Sequence, residues 1–445
     1  MKQTTTLFAE RKKTVTVQEI ACDGMETERE KDLVNLYPDV QYQTVNGFGG
    51  AFTDAAGYVY AQMPQEKKRE LIHAYFSRDG LRYSLGRTSI DSCDFSTEQY
   101  DSLAEGAALS EMDISRAGRY VLPLIADAQK ETGRPIAMML TPWSPPAWMK
   151  TNGSRVQGGE LKAECAEIWA EYICRFVKAY RAQGVDVRLL SVQNETKAVQ
   201  RWDSCLFTAA QEREFVRGHL APALKRNGLE ELCLLIWDHN KERAYERTVE
   251  TISDEEMERL VGGVAVHWYS GDHFEALQMI RDRYPDKQII FSEACVEYSV
   301  FGSGHELQNA QMYAHDIIGN LNHGMNAFLD WNLVLDENGG PNHVGNFCDA
   351  PIMYDTRTGE LRKNLSYDYI GHFSRYIQPG ARRIGISRFD GRVEVTAFRN
   401  PDGGVAAVLL NRQPEELSFF LRMSGRVYPV TLPAESISTV EFESV

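Results

Sequence analysis

The sequence predicts an α/β protein, a (β/α)₈ barrel with a small antiparallel β-sandwich attached to it. Three observations lead to this fold class. Eight short apolar runs recur along the chain, amphipathic helical stretches separate them, and both chain ends carry alternating strand patterns. Continuous apolar runs are typical of strands buried on both faces, and their alternation with helices is typical of a parallel barrel.

The eight apolar runs are the candidates for the barrel strands. They are GFGGAF (47–52), LRYSLGR (81–87), IAMMLTPW (136–143), VRLLSVQNE (187–195), LCLLIWDHN (232–240), GVAVHWY (263–269), KQIIFSEA (287–294) and GMNAFLDWN (324–332). A doubly wound open sheet is the alternative arrangement. It would usually carry a glycine-rich phosphate loop after its first strand, and GFGGAF lacks the full GxGxxG spacing.

Three stretches between these runs have helical patterns. The first, 64–76, begins with Pro64 at a plausible first-turn position. The second, 113–133, is interrupted by Pro123, which we expect to kink it. The third and longest, 160–184, has apolar residues at three- and four-residue spacing.

The two ends of the chain predict the sandwich. RRIGISR, RVEVTAFR, GVAAVLLN, LSFFLR and VYPVTL follow one another after Pro379, and KTVTVQEI (13–20) is similar in type. These are period-two strands separated by turn residues. We therefore predict an N-terminal part of the sandwich over 1–45, a catalytic barrel over 46–378 and the rest of the sandwich over 379–445.

Composition and charge indicate which kinds of binding partner the protein has. The chain has 445 residues, a net charge of -15 and a pI near 5.3, which argues against nucleic-acid or anionic-membrane partners. No apolar run approaches the length needed to span a bilayer. Because the N-terminal stretch lacks the apolar core of a secretory signal and the eight cysteines show no paired spacing, we expect reduced thiols in a cytoplasmic protein. The pattern does not indicate an oligomeric state.

Two glutamates end strands of the predicted barrel. Glu195 follows the fourth strand and Glu293 closes the seventh. Catalytic groups of such barrels lie at the carboxyl ends of the strands, and paired carboxylates there suit glycoside hydrolysis. Either glutamate alone could be a surface residue or an ion-pair partner, but two of them in separate β/α units favour catalysis.

Other strand ends carry aromatic and polar side chains together. Aromatic rings match the apolar faces of sugars, and Asp, Asn and His match their hydroxyl edges. His267 could instead be a buried core histidine. The strand-end residues are Asp94, Trp143, Asp238, His239, Asn240, His267, Trp268, Tyr269, Trp331 and Asn332.

Metal, cofactor and serine or cysteine chemistry have little support in the sequence. The ten histidines are scattered, with at most one at each strand end, and no EF-hand or GxSxG pattern occurs. Cys295 follows Glu293 without an obvious basic partner, so we expect an inert buried thiol. We predict no metal and no cofactor.

Longer motifs identify a family. The chain resembles glycoside hydrolase family 30, in particular its glucosylceramidase-like branch that includes lysosomal acid β-glucosidase, over roughly residues 40 to 380. The motifs are NGFGGAFTDAA (46–56), SCDFS (92–96), TPWSPPAWMKTNG (141–153), QNE (193–195), HWY (267–269), SEAC (292–295) and DWNLVLDENGGPNHVGNF (330–347).

The resemblance implies roles for the site residues. It implies a retaining mechanism with Glu195 as the acid/base and Glu293 as the nucleophile. Arg87 and Tyr269 would be partners on the nucleophile side, and Asn194 could bind the sugar 2-hydroxyl. The glycone pocket would be lined by Asp94, Trp143, Asn194, Trp331 and Asn346.

The predicted function is an exo-acting retaining β-glycosidase, most simply a β-glucosidase that acts on small β-glycosides or oligosaccharides. Sibling specificities remain as alternatives, namely β-xylosidase, β-fucosidase and β-glucuronidase. From a different class, a catalytically silent carbohydrate-binding protein is the distant alternative. The chain departs from the family pattern at His343 and over 297–308, two loops that we expect to face the leaving group.

Overall fold

The structure is a computed structural model that describes residues 1–25 and 28–443. It contains a closed barrel of eight strands and a ten-stranded sheet that belongs to both ends of the chain. The strands in chain order are β1 (Lys2–Ala9), β2 (Lys12–Glu19), β3 (Gly24–Met25), β4 (Leu33–Thr44), β5 (Gly47–Ala51), β6 (Leu85–Ile90), β7 (Ala137–Pro142), β8 (Asp186–Ser191), β9 (Cys233–Asn240), β10 (Gly263–His267), β11 (Gln288–Glu293), β12 (Ala327–Asn332), β13 (Leu335–Asp336), β14 (Ile352–Asp355), β15 (Glu360–Lys363), β16 (Arg382–Arg388), β17 (Val393–Arg399), β18 (Val405–Asn411), β19 (Leu417–Met423), β20 (Arg426–Leu432) and β21 (Ser436–Phe442).

Helices surround the barrel and lie between its strands. They are α1 (Asp54–Gln62), α2 (Gln65–Phe76), α3 (Ser115–Arg119), α4 (Val121–Thr132), α5 (Ala166–Ala182), α6 (Ala209–Phe215), α7 (Ala221–Asn227), α8 (Ala244–Thr251), α9 (Glu255–Leu260), α10 (Phe274–Arg283), α11 (Tyr298–Phe301), α12 (Glu306–Asn322) and α13 (Leu365–Ser374). Among the described residues, no helix is both long enough and apolar enough to cross a membrane.

The barrel consists of strands β5 to β12, in that order, and it closes where β12 pairs in parallel with β5. Each of the eight predicted apolar runs overlaps one of these strands. The predicted (β/α)₈ barrel is therefore confirmed. The alternative prediction of an open, doubly wound sheet is wrong, because the observed sheet is closed and has no free edge. The carboxyl ends of the eight strands meet at one mouth, which is where parallel barrels place their chemistry.

The second unit joins the chain termini. Strand β1 pairs with β21, and the long strand β4 lies between β16 and β19. The five strands that we predicted after Pro379 are present as β16 to β20, and KTVTVQEI forms most of β2. Strand β4 is parallel to β19, so the sheet is not antiparallel throughout. The exact domain boundaries stay a prediction.

The helical predictions need one correction. The stretch 113–133 is not one kinked helix but two helices, α3 and α4, with a break at Tyr120. Pro123 is the third residue of α4, a position where the backbone needs no N–H donor, so proline is compatible with the start of a helix there. Pro64 is the N-cap residue of α2 and directly precedes its first turn.

Candidate active site

Glu195 and Glu293 both lie at the mouth of the barrel. Glu293 is the last residue of β11, whereas Glu195 lies in a turn that follows β8. Two hydrogen bonds fix this turn between the neighbouring strands: Asn194 N–H donates to Pro142 O at 2.8 Å, and Glu195 N–H donates to Asp238 O at 2.8 Å. Glu195 has a φ of 49°, a left-handed conformation that costs energy outside glycine and that clusters at functional sites.

A cavity of about 170 Å³ opens between the two glutamates. Eight of the ten predicted site residues line this cavity. The other two do not line it, but Arg87 contacts Glu293 and His267 contacts Glu195. The lining residues are Asp94, Phe95, Trp143, Asn194, Glu195, Gln200, Trp202, His239, Asn240, Tyr269, Glu293, Cys295, Glu297, Val300, Phe301, Trp331 and Asn346.

Both oxygens of the Glu293 carboxylate accept a hydrogen bond. Arg87 donates from Nη1 to Oε2 at 2.5 Å, and Tyr269 donates from its hydroxyl to Oε1 at 2.9 Å. The same hydroxyl lies 3.3 Å from the Sγ of Cys295, a buried thiol. One donor comes from β6 and the other from just beyond β10, and together they leave the carboxylate little rotational freedom, so its position relative to the cavity is fixed.

Arg87 is fully buried and connects three parts of the site. Besides Glu293, its Nη2 donates to Asn194 Oδ1 at 2.8 Å and to Asp238 Oδ2 at 3.0 Å. Burial disfavours the Asp238 carboxylate, but the Arg87 guanidinium and the His267 ring outweigh it and hold the pKa of Asp238 below its usual range. Charges buried in this way are tolerated because each is paired.

Two β-bulges determine the direction in which the side chains of Asp238 and Ser292 point. The register of β9 and β10 shifts so that Ala265 lies beside Trp237 and Val266 beside His239, which leaves Asp238 as an extra residue. The register of β10 and β11 shifts in the same way at Ser292. The extra residues meet inside the barrel, where Ser292 Oγ donates to Asp238 Oδ1 at 2.6 Å. Bulges beside active sites commonly redirect side chains in this manner.

His267 lies between two carboxylates. Its Nε2 is 3.1 Å from Asp238 Oδ1, and its Nδ1 is 3.4 Å from Glu195 Oε1. Burial opposes a charged ring, but the carboxylates of Glu293, Asp238 and Glu195 raise the pKa of His267 to about 9. Burial also opposes the Glu195 carboxylate, yet the imidazoles of His267 and His239 lower its pKa. The His267 ring therefore carries the proton of this pair, and Glu195 faces it as a carboxylate.

Aromatic rings form the opposite part of the wall. Trp143 and Trp331 stack with ring centroids 5.4 Å apart and 24° between their planes. The guanidinium carbon of Arg87 lies 4.7 Å from the Trp143 ring centroid, so the rings also cover the buried cation. Asn346 Nδ2 donates to Asp94 Oδ2 at 3.3 Å. Burial and the charge of Glu293 raise the pKa of Asp94 well above its usual range, which allows its carboxyl group to donate as well as accept.

Several lining residues were not predicted as site residues. Gln200 and Trp202 come from the loop after β8, and Glu297, Val300 and Phe301 come from the segment around α11. Glu297, Val300 and Phe301 belong to the segment 297–308, which the sequence predicts to face the leaving group, whereas Gln200 and Trp202 follow no strand end directly. His239 and Asn240 end β9 and are among the strand-end residues, although the family resemblance implies no role for them.

Glu195, His239 and His267 also form a group of potential metal ligands. Within the part of the chain that the structure describes, one atom of each lies within 4.8 Å of the others. The sequence suggested scattered histidines, but β9 and β10 are neighbours in the barrel and bring two of them together.

The comparisons with known proteins agree with this geometry. Residues 45–377 match the glycosyl hydrolase family 30 TIM-barrel domain, and residues 380–440 match the family 30 beta sandwich domain. Lysosomal acid glucosylceramidase of Mus musculus is 33% identical over 86% of this chain and 78% of its own length. Endo-1,6-beta-D-glucanase of Neurospora crassa is 24% identical over 90% of this chain and 86% of its own length.

A solved structure supports the same assignment. SrfJ from Salmonella typhimurium superposes with a TM-score of 0.95 at 37% identity, and the match covers all of both chains. The barrel domain match alone spans most of the sequence. The chain therefore belongs to glycoside hydrolase family 30 and is a glycosidase of its glucosylceramidase-like branch.

Proposed function

We propose that the protein is a retaining, exo-acting β-glycosidase whose preferred glycone is glucose. In this proposal Glu293 attacks the anomeric carbon and Glu195 protonates the leaving oxygen. The observation that carries the proposal is the contrast between the two carboxyl groups. Glu293 is fixed by Arg87 and Tyr269 with both oxygens satisfied, whereas Oε1 of Glu195 faces the Nδ1 atoms of His267 and His239.

The nucleophile role suits the surroundings of Glu293. A nucleophilic carboxylate must approach the anomeric carbon in a fixed orientation, because small misplacements cost large factors in rate. Arg87 and Tyr269 supply that orientation from β6 and from just beyond β10. After Glu293 has attacked the anomeric carbon, one of its oxygens is bonded to the sugar and loses its negative charge. The donor to the other Glu293 oxygen then stabilises the carbonyl of the glycosyl ester.

The acid/base role requires a proton at the start and a base after the glycosyl-enzyme has formed. Because the pKa of His267 is about 9 and its Nδ1 lies 3.4 Å from Glu195 Oε1, the pair holds one proton at neutral pH. We infer that this proton moves to Glu195 as the leaving oxygen gains charge. The same pair then accepts a proton from the water that hydrolyses the ester.

The cavity supports a single sugar unit as glycone. Its volume of about 170 Å³ is below the roughly 300–1,000 Å³ of pockets that hold larger ligands. Asp94 and Asn346 supply hydrogen-bonding groups and Trp143 and Trp331 supply apolar ring faces. This volume favours an exo action over the endo action named for the Neurospora crassa relative.

Charge favours glucose over a uronic acid. None of the described residues that line the cavity is a lysine or arginine, whereas Asp94, Glu195 and Glu293 all face it. A β-glucuronidase would need a cation for the C6 carboxylate, and the described lining residues offer no lysine or arginine for it. The name of the mouse relative, a glucosylceramidase, points to the same glycone. A panel of nitrophenyl β-glycosides, compared with the α-linked analogues, tests this choice directly.

Replacement of each glutamate tests the roles. Glu293→Gln should abolish hydrolysis of every β-glycoside, because no covalent intermediate can form. Glu195→Gln should lose about 10²- to 10⁴-fold on a glycoside whose leaving group needs a proton, and far less on a dinitrophenyl glycoside. Added azide should partly restore the second variant, and NMR should show a β-configured product.

Glu231→Gln is the matched control, since Glu231 is a surface residue that pairs with Arg181 at 2.6 Å. It should hydrolyse every substrate as the unmodified protein does. Equal losses of Glu195→Gln on all leaving groups, without azide rescue, would remove Glu195 from the acid/base role. Sugar binding by calorimetry without turnover of any β-glycoside would instead support the carbohydrate-binding alternative.

A further inference from the structure

Two ring nitrogens face the same carboxylate oxygen at the cavity wall. Nδ1 of His267 lies 3.4 Å and Nδ1 of His239 lies 3.7 Å from Oε1 of Glu195. Both nitrogens are buried, and neither has a hydrogen-bond partner of good geometry. An unpartnered buried nitrogen costs free energy, so two of them aimed at one oxygen call for an explanation.

The spacing matches that of zinc ligands. Zinc binds imidazole nitrogens and carboxylate oxygens at about 2.0–2.2 Å in a tetrahedral arrangement, which places neighbouring ligand atoms about 3.4 Å apart. The two separations from Glu195 Oε1 are 3.4 Å and 3.7 Å. All three ligand atoms lie within 4.8 Å of one another, so the two rings have to move closer together for all three atoms to contact one ion.

The outer contacts of His267 are also those of a zinc ligand. Its other ring nitrogen, Nε2, is 3.1 Å from Asp238 Oδ1, and Asp238 is in turn bound by Ser292 and Arg87. A carboxylate that accepts the remote N–H of a histidine fixes the ring and directs the free nitrogen at the metal. Glu195 and His239 are 12% and 13% exposed, so an ion can reach the site from the cavity.

We propose that Glu195, His239 and His267 form a binding site for Zn²⁺, and that the bound ion inhibits hydrolysis reversibly. The site has two nitrogen ligands and one oxygen ligand, a set that favours zinc over Mg²⁺ and Ca²⁺, which prefer oxygen. A water molecule or a sugar hydroxyl completes the four ligands, as in zinc sites with three protein ligands.

The inhibition follows from the position of the ion. A zinc ion bound at Glu195 Oε1 keeps that carboxylate ionised, because metal ligands bind in their deprotonated form. The carboxylate then has an ion where the leaving oxygen needs an acid, so no proton is available for the glycosidic bond. This consequence rests on the proposed role of Glu195, whereas the binding itself does not.

Calorimetry with ZnCl₂ on the full-length protein, after treatment with a chelator, tests the binding. We expect one ion per chain, and we expect His239→Gln to weaken the affinity by more than about tenfold. His219→Gln is the matched control, because His219 forms another histidine–glutamate pair, 3.1 Å from Glu167, on the protein surface. It should bind zinc as the unmodified protein does, and MgCl₂ should give no binding at this site.

Activity measurements complete the test. Zinc should lower kcat/KM of the unmodified protein, a chelator should restore it, and His239→Gln should need more than about tenfold higher zinc for the same inhibition. Equal zinc affinity of the unmodified protein and His239→Gln would overturn the site, and so would activation by zinc. Loss of zinc binding in Glu195→Gln, combined with failed azide rescue, would keep the metal site and reject only the acid/base role.

Discussion

At the scale of single residues, the site depends on how each buried charge is paired. Arg87 contacts Glu293 and Asp238 together, so its removal would leave two carboxylates without a cation. Breaking such a buried pair typically lowers the stability by about 3–5 kcal/mol, so a loss of activity could not be separated from a loss of folded protein. Tyr269 offers a cleaner test, because it is neutral and its hydroxyl lies at Glu293 and Cys295.

Tyr269→Phe should lower kcat/KM by about ten- to a hundredfold. The substitution keeps the ring and removes the hydrogen bond to Glu293 Oε1, and hydrogen bonds to charged groups contribute about 1.5–3 kcal/mol. Steady-state kinetics on a nitrophenyl β-glycoside measures the loss, and the melting temperature should change little. Tyr60→Phe is the control, since its hydroxyl donates to Asp127 at 2.5 Å outside the site. If both variants lose the same activity, the Tyr269 hydroxyl has no special role.

Sequence position indicates which residues reach the mouth of the barrel, but not how they are aimed. Glu293 and Trp331 could be located because each lies in the last residues of a strand that the apolar pattern reveals. Asp238 is among the strand-end residues, but the inward direction of Asp238 and Ser292 could not be predicted, because each is the extra residue of a bulge, and a bulge reverses the side-chain alternation on which the pattern depends. The proximity of His239 to Glu195 follows from those same register shifts.

At the scale of secondary structure elements, the first barrel strand shows why its sequence is rich in glycine. A side chain at Gly49 of β5 would place its Cβ 2.1 Å from the backbone oxygen of Leu85 in β6. The backbone cannot give way there, because Gly49 also pairs with Leu85 in the closed sheet. The glycines of GFGGAF therefore allow a close approach of neighbouring elements and are not part of a phosphate-binding loop.

Gly49→Ala should lower the free energy of unfolding by about 3 kcal/mol or more, or prevent folding, because overpacking against backbone cannot relax. Urea denaturation measures the change. Gly118→Ala in α3 is the matched control, since a Cβ there meets nothing within 4 Å and a helical alanine is favoured over glycine by up to about 1 kcal/mol. A Gly49→Ala protein as stable as the unmodified one would contradict the close approach.

Two of the strands that the sequence did not reveal share a physical reason. In β1 and β21 much of the buried surface belongs to hydroxyl and amide side chains. Thr5 and Ser438 share a hydrogen bond of 2.7 Å, and Gln3 donates to Ser438 at 3.2 Å. A strand whose polar side chains satisfy one another across the sheet has no apolar pattern, and its burial becomes visible only when the partner strand is known.

At the scale of the whole molecule, α13 connects the barrel to the sheet made of the chain ends. His372 on this helix lies between β21 and β1, with Nδ1 2.8 Å from Thr439 Oγ1 and Nε2 2.9 Å from Thr6 Oγ1. It is 3% exposed, and burial lowers its pKa to about 3. The ring is therefore neutral in the folded protein at pH values where an unfolded chain would bind a proton.

The sign of the pH effect follows from this difference. Between about pH 6.5 and pH 3 the unfolded state binds one more proton at His372 than the folded state, so stability falls as the pH falls. The loss is fully absent above about pH 7 and grows by about 1.4 kcal/mol for each pH unit below 6.5. At pH 5 it amounts to about 2 kcal/mol.

His372→Gln should therefore reduce the loss of stability between pH 7.5 and pH 5 by about 2 kcal/mol, even if the variant is less stable at both values. Glutamine keeps a donor and an acceptor for Thr439 and Thr6 but cannot be protonated in this range. Urea denaturation at the two pH values measures the difference, and His219→Gln on the protein surface should behave as the unmodified protein does. If the stability of His372→Gln falls between pH 7.5 and pH 5 as much as that of the unmodified protein, His372 is not the cause of the loss. Protonation of another group then destabilises the folded state.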